Sequence, residues 1–320
     1  MTPLRWYHRP KLRQPTLVAA FEGWNDAGDA ASGAARWLAD RYGAEQVARI
    51  DAEEFFDFTS TRPMVGLDDE GKRTIAWPDT EIWAAGTAGA TDLVVLVGQE
   101  PHLRWRTYCA AVLEAADALD CSLVLTLGGL LSDVPHSRPT PVHGSSDDAD
   151  LAERFAFGPS NYEGPTGIVG VLQATCAAAG IRSASLWATI PSYVSGAPSP
   201  KATLALVERA MTVLGIDQPT VDLQIAAAAY ERQIDELIEE LTDTDEDTAA
   251  WVARIAEAAA AAEAEQDGEP SDEPEDGEGD VQPLGQLPSD DEPPEGDGTE
   301  LADGDPDALV EEVERFLRGD

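Results

Sequence analysis

Residues 16–38 read TLVAAFEGWNDAGDAASGAARWL, and the arrangement of the whole chain follows from them. The stretch opens on the apolar run LVAAF, breaks at Gly23, carries the polar turn Trp24-Asn25-Asp26, and resumes at helical spacing from Ala31 to Leu38. Strand, loop and helix in that order are the building unit of an α/β domain with a mostly parallel sheet. The loop falls at the carboxyl end of the strand, the edge where open α/β sheets hold ligands.

Two further runs belong beside this strand. Residues 92–99 (DLVVLVGQ) and 122–128 (SLVLTLG) are apolar throughout, as strands buried on both faces are. The helical period of 103–119 between them makes a second crossover. Residues 46–56 read as another strand, and PMVGL and RTIAW flank the turn Asp68 to Gly71 as a hairpin. With TEIWAA they form an antiparallel annex on the sheet. A helix over 167–179 stops at Gly180, the strand ASLWATI follows, and Ser199 and Pro200 start a helix that runs to Leu214. The segment 130–156, rich in Pro, Ser and His, is too long for an idle connection and is read as a functional loop or a further small hairpin.

From Val221 the pattern changes. Leu223, Ala227, Tyr230, Ile234, Leu237 and Leu241 step by four and three, a heptad seam, and Trp251, Ile255, Ala258 and Ala262 repeat it. The expected layout is an α/β core over 1–218, a helical hairpin over 219–265, a disordered acidic linker over 266–304, and a short amphipathic helix over 305–319.

Charge bounds the function. The net charge is −40, and residues 265–320 hold about 22 acids against two arginines, roughly half of it. No basic patch is visible, so nucleic acid and anionic membrane are excluded as expected partners. No apolar run approaches about 18 residues, and the amino terminus lacks a signal-type apolar core. The expected location is the cytoplasm. Cys109, Cys121 and Cys176 lack metal or redox spacing and read as free thiols.

The signatures of P-loop NTPases, dinucleotide-binding folds, serine esterases and zinc peptidases are missing. The polar residues at strand ends are therefore the candidates for chemistry. Glu100 and His102 suit acid–base work, and His136 could complete a site with them. Asn25 and Asp26 could hold a ligand, and Arg104 could bind a carboxylate or phosphate. Each has a structural alternative: Asn25 or Asp26 capping the next helix, and the arginines pairing with local acids; the first turn of the helix after Asn161–Gly167 could likewise seat an anion, or simply be capped by Thr166. No metal site and no cofactor are expected, since the histidines lack ligand spacing. At the far end Asp305 and Pro306 can start a helix on which Leu309, Val310, Val313, Phe316 and Leu317 share a face. Leu309, Val313, Phe316 and Leu317 are the candidate partner-binding residues, docking either on this chain's own core, on a sister subunit, or in another protein.

Several ordered blocks resemble one family. FEGWNDAGDAASGAARWL, VGQEPHLRW, LTLGGLLSDVPHSRP, YEGPTGIVGVL and ATIPSYVSGAPSPKATLALVE look like the PAC2, or proteasome assembly chaperone 2, family in its actinobacterial form, over roughly residues 1–240. The resemblance implies an α/β sandwich related in topology to nucleoside phosphorylases, homo-oligomeric association, and a chaperone-like role towards other proteins, with no catalytic residues. The chain ends Leu317-Arg318-Gly319-Asp320, unlike the hydrophobic–Tyr–any residue ending of proteasome-docking relatives. Two functions are weighed: a non-catalytic, chaperone-like interaction protein linked to the proteasome, and a hydrolase or phosphorylase acting on a nucleoside-like ligand between loops 22–29, 98–106 and 132–145. An enzyme should gather Glu100, His102 or His136 on one cleft, whereas a scaffold should scatter or pair them.

Overall fold

The computed structural model describes residues 3–68, 70–160, 162–194, 197–244, 253–255 and 257. In chain order the elements are β1 (Leu4–Trp6), β2 (Thr16–Glu22), α1 (Ala30–Arg41), β3 (Glu45–Ile50), β4 (Met64–Leu67), β5 (Arg73–Ala76), β6 (Thr80–Ala85) and β7 (Leu93–Gln99). They continue with α2 (Trp105–Ala118), β8 (Leu123–Ser132), β9 (Val142–Ser145), α3 (Ala149–Phe155), α4 (Ile168–Ala179), β10 (Ser183–Pro191), α5 (Pro200–Leu214) and α6 (Val221–Thr244).

Eight strands make one mixed sheet in the order β1-β3-β6-β7-β2-β8-β10-β9. The four central strands, β7, β2, β8 and β10, run parallel, and antiparallel pairs finish both edges. β2 is the middle of this block, in register with β7 from Thr16↔Leu93 to Glu22↔Gln99. Its pairing with β8 stops at Ala19↔Thr126, so the two strands part towards their carboxyl ends. The loop after β2 enters that gap: Asp26 bridges Gly129, and the Gly129 amide donates to the Asn25 carbonyl at 2.8 Å.

Alternation along β2 divides the core. Leu17, Ala19 and Phe21 face α2 and α4, while Val18 and Ala20 face α1, α5 and α6. Helix α1 lies close against α5 because it presents small residues. Ala30, Ala31, Ser32, Ala34 and Ala35 are buried, and a Cβ added at Gly33 would sit 3.1 Å from the Thr203 hydroxyl. The heptad seam of α6 joins this same face. Ala227, Tyr230, Ile234 and Leu237 are buried in the cluster that holds Leu206, Val207 and Ala210 of α5, and Ile255 belongs to it too. Asp222 accepts from the Trp37 indole at 2.8 Å and the Pro219 carbonyl from Arg41 at 2.9 Å, so the root of α6 is tied to α1.

Four expectations change. The strand expected over 46–56 ends at Ile50, and a 3₁₀ turn at Ala52–Glu54 follows, with the Asp51 carboxylate accepting from the Glu53 amide. The hairpin β4–β5 forms a separate two-stranded sheet, and only β6 of the expected annex joins the main sheet. Segment 130–156 holds the edge strand β9 and helix α3, capped by Asp148, which also pairs with Arg182 at 2.6 Å. Thr166 does not cap α4. The position before that helix is Gly167, which offers no side chain, and the cap comes from elsewhere in the fold. Trp251, Ala258 and Ala262, the linker 266–304, and Leu309, Val313, Phe316 and Leu317 lie outside the described residues.

Candidate functional site

The carboxyl ends of β2 and β7 carry Asn25, Asp26, Glu100, His102 and Arg104 on adjacent loops. Parallel neighbours end at the same edge, so a turn after each strand brings sequence-distant polar groups together.

Glu100 is the hub. Its Oε1 accepts the Ile168 amide at 2.7 Å and the Asn25 amide nitrogen at 2.8 Å, while its own N–H donates to the Glu22 carbonyl at 2.9 Å. One carboxylate thus supplies the N-terminal cap of α4 that local sequence withholds, where a negative group also meets the positive end of the helix dipole. The fit is close, since a Cβ on Gly167 would lie 2.3 Å from Asn25 Oδ1. Glycine at 167 is what lets Asn25 reach Glu100.

Asp26 is buried, and its Oδ1 accepts the amides of Ala31 at 2.7 Å and Ser32 at 3.1 Å. The capping of α1 therefore comes from three residues before the formal cap position, Asp29, across a 3₁₀ turn at Ala27–Asp29. Gly28 takes the left-handed conformation there (φ 59°), and its carbonyl accepts from the Ser199 amide at 2.7 Å, so the loop is also clamped to the start of α5. Asp26 Oδ2 makes no hydrogen bond. Burial pushes the Asp26 pKa above the ordinary carboxylate value, against the lowering effect of Ser32 and Ala31.

Arg104 sits in the left-handed region (φ 55°) just before α2 and pairs with Glu54 at 2.6 Å. His102 Nδ1 accepts the Asp57 amide at 3.0 Å, and its ring meets Phe56 edge-on. A shallow open depression lined by Glu22, Trp24, Thr61, Glu100, His102 and Trp105 remains at this edge.

His136 lies elsewhere. It lines a small recess with Lys201, Thr189 and Tyr230, beyond the ends of β8 and β10. Its Nδ1 is 2.7 Å from the Tyr193 hydroxyl, which also accepts the His136 amide, and its Nε2 is 2.9 Å from Asp235 of α6. Lys201 donates to the His136 carbonyl and pairs with Glu231 at 3.0 Å. These contacts fasten α6 to the loop after β8. Tyr193, Lys201, Glu231 and Asp235 were not singled out from the sequence, where each looks like an ordinary helix or turn residue.

The structure thus brings Asn25, Asp26, Glu100, His102 and Arg104 to one edge and leaves His136 at another recess. Every one of them hydrogen-bonds or ion-pairs within the chain. The thiols are free, and burial raises them, Cys109 and Cys176 to about 11 and Cys121 to about 12, which suits packing and not nucleophilic attack. Among the described residues no group of three or more His, Cys, Asp or Glu could hold a metal ion, and no helix is long and apolar enough to cross a membrane.

An α/β layer fold whose strand-end polar groups are engaged with one another defines a class built on its surfaces and loops. The PAC2 family model matches residues 20–238, and the chain belongs to the PAC2 family. A PAC2 family protein from Streptomyces avermitilis is 45% identical, over 70% of this chain and 95% of its own, with a TM-score of 0.66. A Mycobacterium tuberculosis proteasome-assembly chaperone homologue is 43% identical, over 74% of this chain and 99% of its own, also with a TM-score of 0.66. A second M. tuberculosis protein, of unknown function, is 27% identical over 82% of this chain and 90% of its own, with a TM-score of 0.72. No curated protein matches the chain.

Proposed function

We propose that this chain is a non-catalytic, chaperone-like protein that binds proteasome-related proteins, working in the cytoplasm as a homo-oligomer. The observation that carries the reading is the 43% identity to a proteasome-assembly chaperone homologue over nearly all of that protein's length. The strand-end chemistry supports it. Glu100 serves as a helix cap and loop tie, and His102 accepts a backbone amide. Neither nucleic acid nor a membrane surface is a partner in this reading, because the net charge of −40 repels both. Leu309, Val313, Phe316 and Leu317 are the residues assigned to partner capture.

The test is reconstitution. Purified full-length chain is added to unassembled proteasome α- and β-type subunits from an actinobacterium, and assembly is followed by native electrophoresis. Faster assembly, or a stable intermediate containing the chain, is the expected outcome. If the chain neither binds the subunits nor changes the assembly rate, the proteasome reading fails.

A further inference from the structure

Among the described residues nothing covers the apolar surface of the hairpin β4–β5. Met64 and Leu67 are each 70% exposed, Val65 58% and Ile75 56%, far above what an ordinary strand residue leaves in water. The pairing Val65↔Ile75 and Leu67↔Arg73 puts Val65, Leu67 and Ile75 on one face, since residues directly opposite in a ladder point the same way. At the root Trp77 packs on Phe58 with ring centroids 5.0 Å apart and the rings tilted by 59°, which fixes where the hairpin leaves the domain. A two-stranded ribbon without a packing partner is at best marginally stable in water, and a bare apolar edge invites aggregation. This ribbon therefore needs an occupant.

Its charge indicates which. Arg73 stands opposite Leu67 on that face, Lys72 directly precedes it and Arg62 lies just before β4; among the described residues none of the three makes an ion pair, and the Asp68 carboxylate of the turn accepts the amides of Glu70 and Lys72. The complementary surface is at the other end of the sequence. Residues 305–320 set Leu309, Val310, Val313, Phe316 and Leu317 at helical spacing among Glu311, Glu312 and Glu314. The 47 residues 258–304 separate this segment from the last described position. A random-coil chain of that length would span about 40 Å root-mean-square, against a radius of gyration of about 18 Å for a domain of this size, so the length of chain is enough to reach any face of the core. Tethering also holds it at an effective concentration that a free competitor would have to match.

We propose that the β4–β5 hairpin is the seat of the chain's own C-terminal segment 305–319, with Val65, Leu67 and Ile75 meeting the apolar side of that segment and Arg62, Lys72 and Arg73 meeting its glutamates. The seat would exist whether or not the chain handles proteasome subunits. It gives the capture residues a resting place, and a protein partner would have to displace them from it.

Hydrogen exchange on the full chain tests this, comparing it with Phe316→Asp and with Leu301→Asp as a control in the linker. The expected result is that the amides of β4 and β5 exchange at least threefold faster in Phe316→Asp, unchanged in the control, with the same protection at 1 and 50 μM protein. Raising the salt to 0.5 M should weaken the protection in the unmodified chain and leave the variant unaffected. Hairpin protection that is identical in Phe316→Asp overturns the proposal. Protection that Phe316→Asp leaves intact and dilution abolishes overturns it too, and assigns the hairpin to contact between copies. Protection lost both on dilution and in Phe316→Asp makes the occupant a sister copy's segment and overturns docking within one chain.

Discussion

The strand-end loops and the β4–β5 hairpin are opposites in how far they use their surfaces. At the loops polar groups are numerous and engaged: Glu100 accepts from Asn25 and Ile168, Asp26 from Ala31 and Ser32, and Arg104 pairs with Glu54. On the hairpin four large apolar side chains are more than half exposed, and among the described residues Lys72 and Arg73 make no ion pair. A group already satisfied within its own chain has little left to offer a substrate, whereas an uncovered apolar face gains from any partner that buries it. The hairpin, more than the loops, is where this molecule has binding capacity to spare.

The comparison predicts a graded response to mutation. The largest effect belongs to the helix fastened on the core. Leu237 is buried between α6 and α5, and Leu237→Ala should cost about 2–5 kcal/mol in chemical denaturation. A variant as stable as the parent would make α6 a solvated arm.

Next comes the hub. Glu100→Ala leaves the Ile168 amide and the Asn25 side chain without their acceptor and should cost about 1–3 kcal/mol. Glu100→Gln retains a carbonyl acceptor and should lose clearly less. Equal and negligible losses in both variants would reopen the case for Glu100 as an acid–base group.

Asp26 should respond in its pH dependence. Its folded-state pKa is raised from 3.8 by burial, so the folded protein holds this proton more tightly than the unfolded chain does. Its favourable contribution is complete below pH 3.8 and is lost as pH rises through the raised value. Asp26→Asn keeps an oxygen for the Ala31 and Ser32 amides and carries no charge to bury. The variant should match or exceed the parent at pH 7, and its stability should fall less between pH 4 and pH 7. A steeper fall would mean that the carboxylate is stabilised in its charged form. Asp148 has the opposite sign: hydrogen bonding to Arg182 lowers it to about 2, so its contribution is present above pH 3.8 and is lost as pH falls through about 2.

The smallest effect is expected on the hairpin. Leu67→Ser removes a side chain that is 70% exposed and should change global stability by no more than about 0.5 kcal/mol. A larger loss would mean that the hairpin is covered in solution by more than a weakly held segment.

Much of the fold was legible from local pattern. Continuous apolar runs marked β2, β7 and β8, the 3.6-residue period marked α1 and α2, and Ser199, Pro200 and Gly180 marked helix ends, because backbone conformation and caps are decided within a few residues. The heptad seam of α6 likewise declared which side would be buried. What only the tertiary structure decided is which distant groups meet. Nothing near Gly167 announces that its helix is capped by Glu100, 68 residues away, nor does His136 announce Asp235, 99 residues on. Sheet order and strand register set those pairs, and they depend on how whole faces pack. The sequence shows which residues are polar and where turns fall; whether a polar residue becomes a ligand contact or a structural tie depends on what the fold places within 3 Å of it.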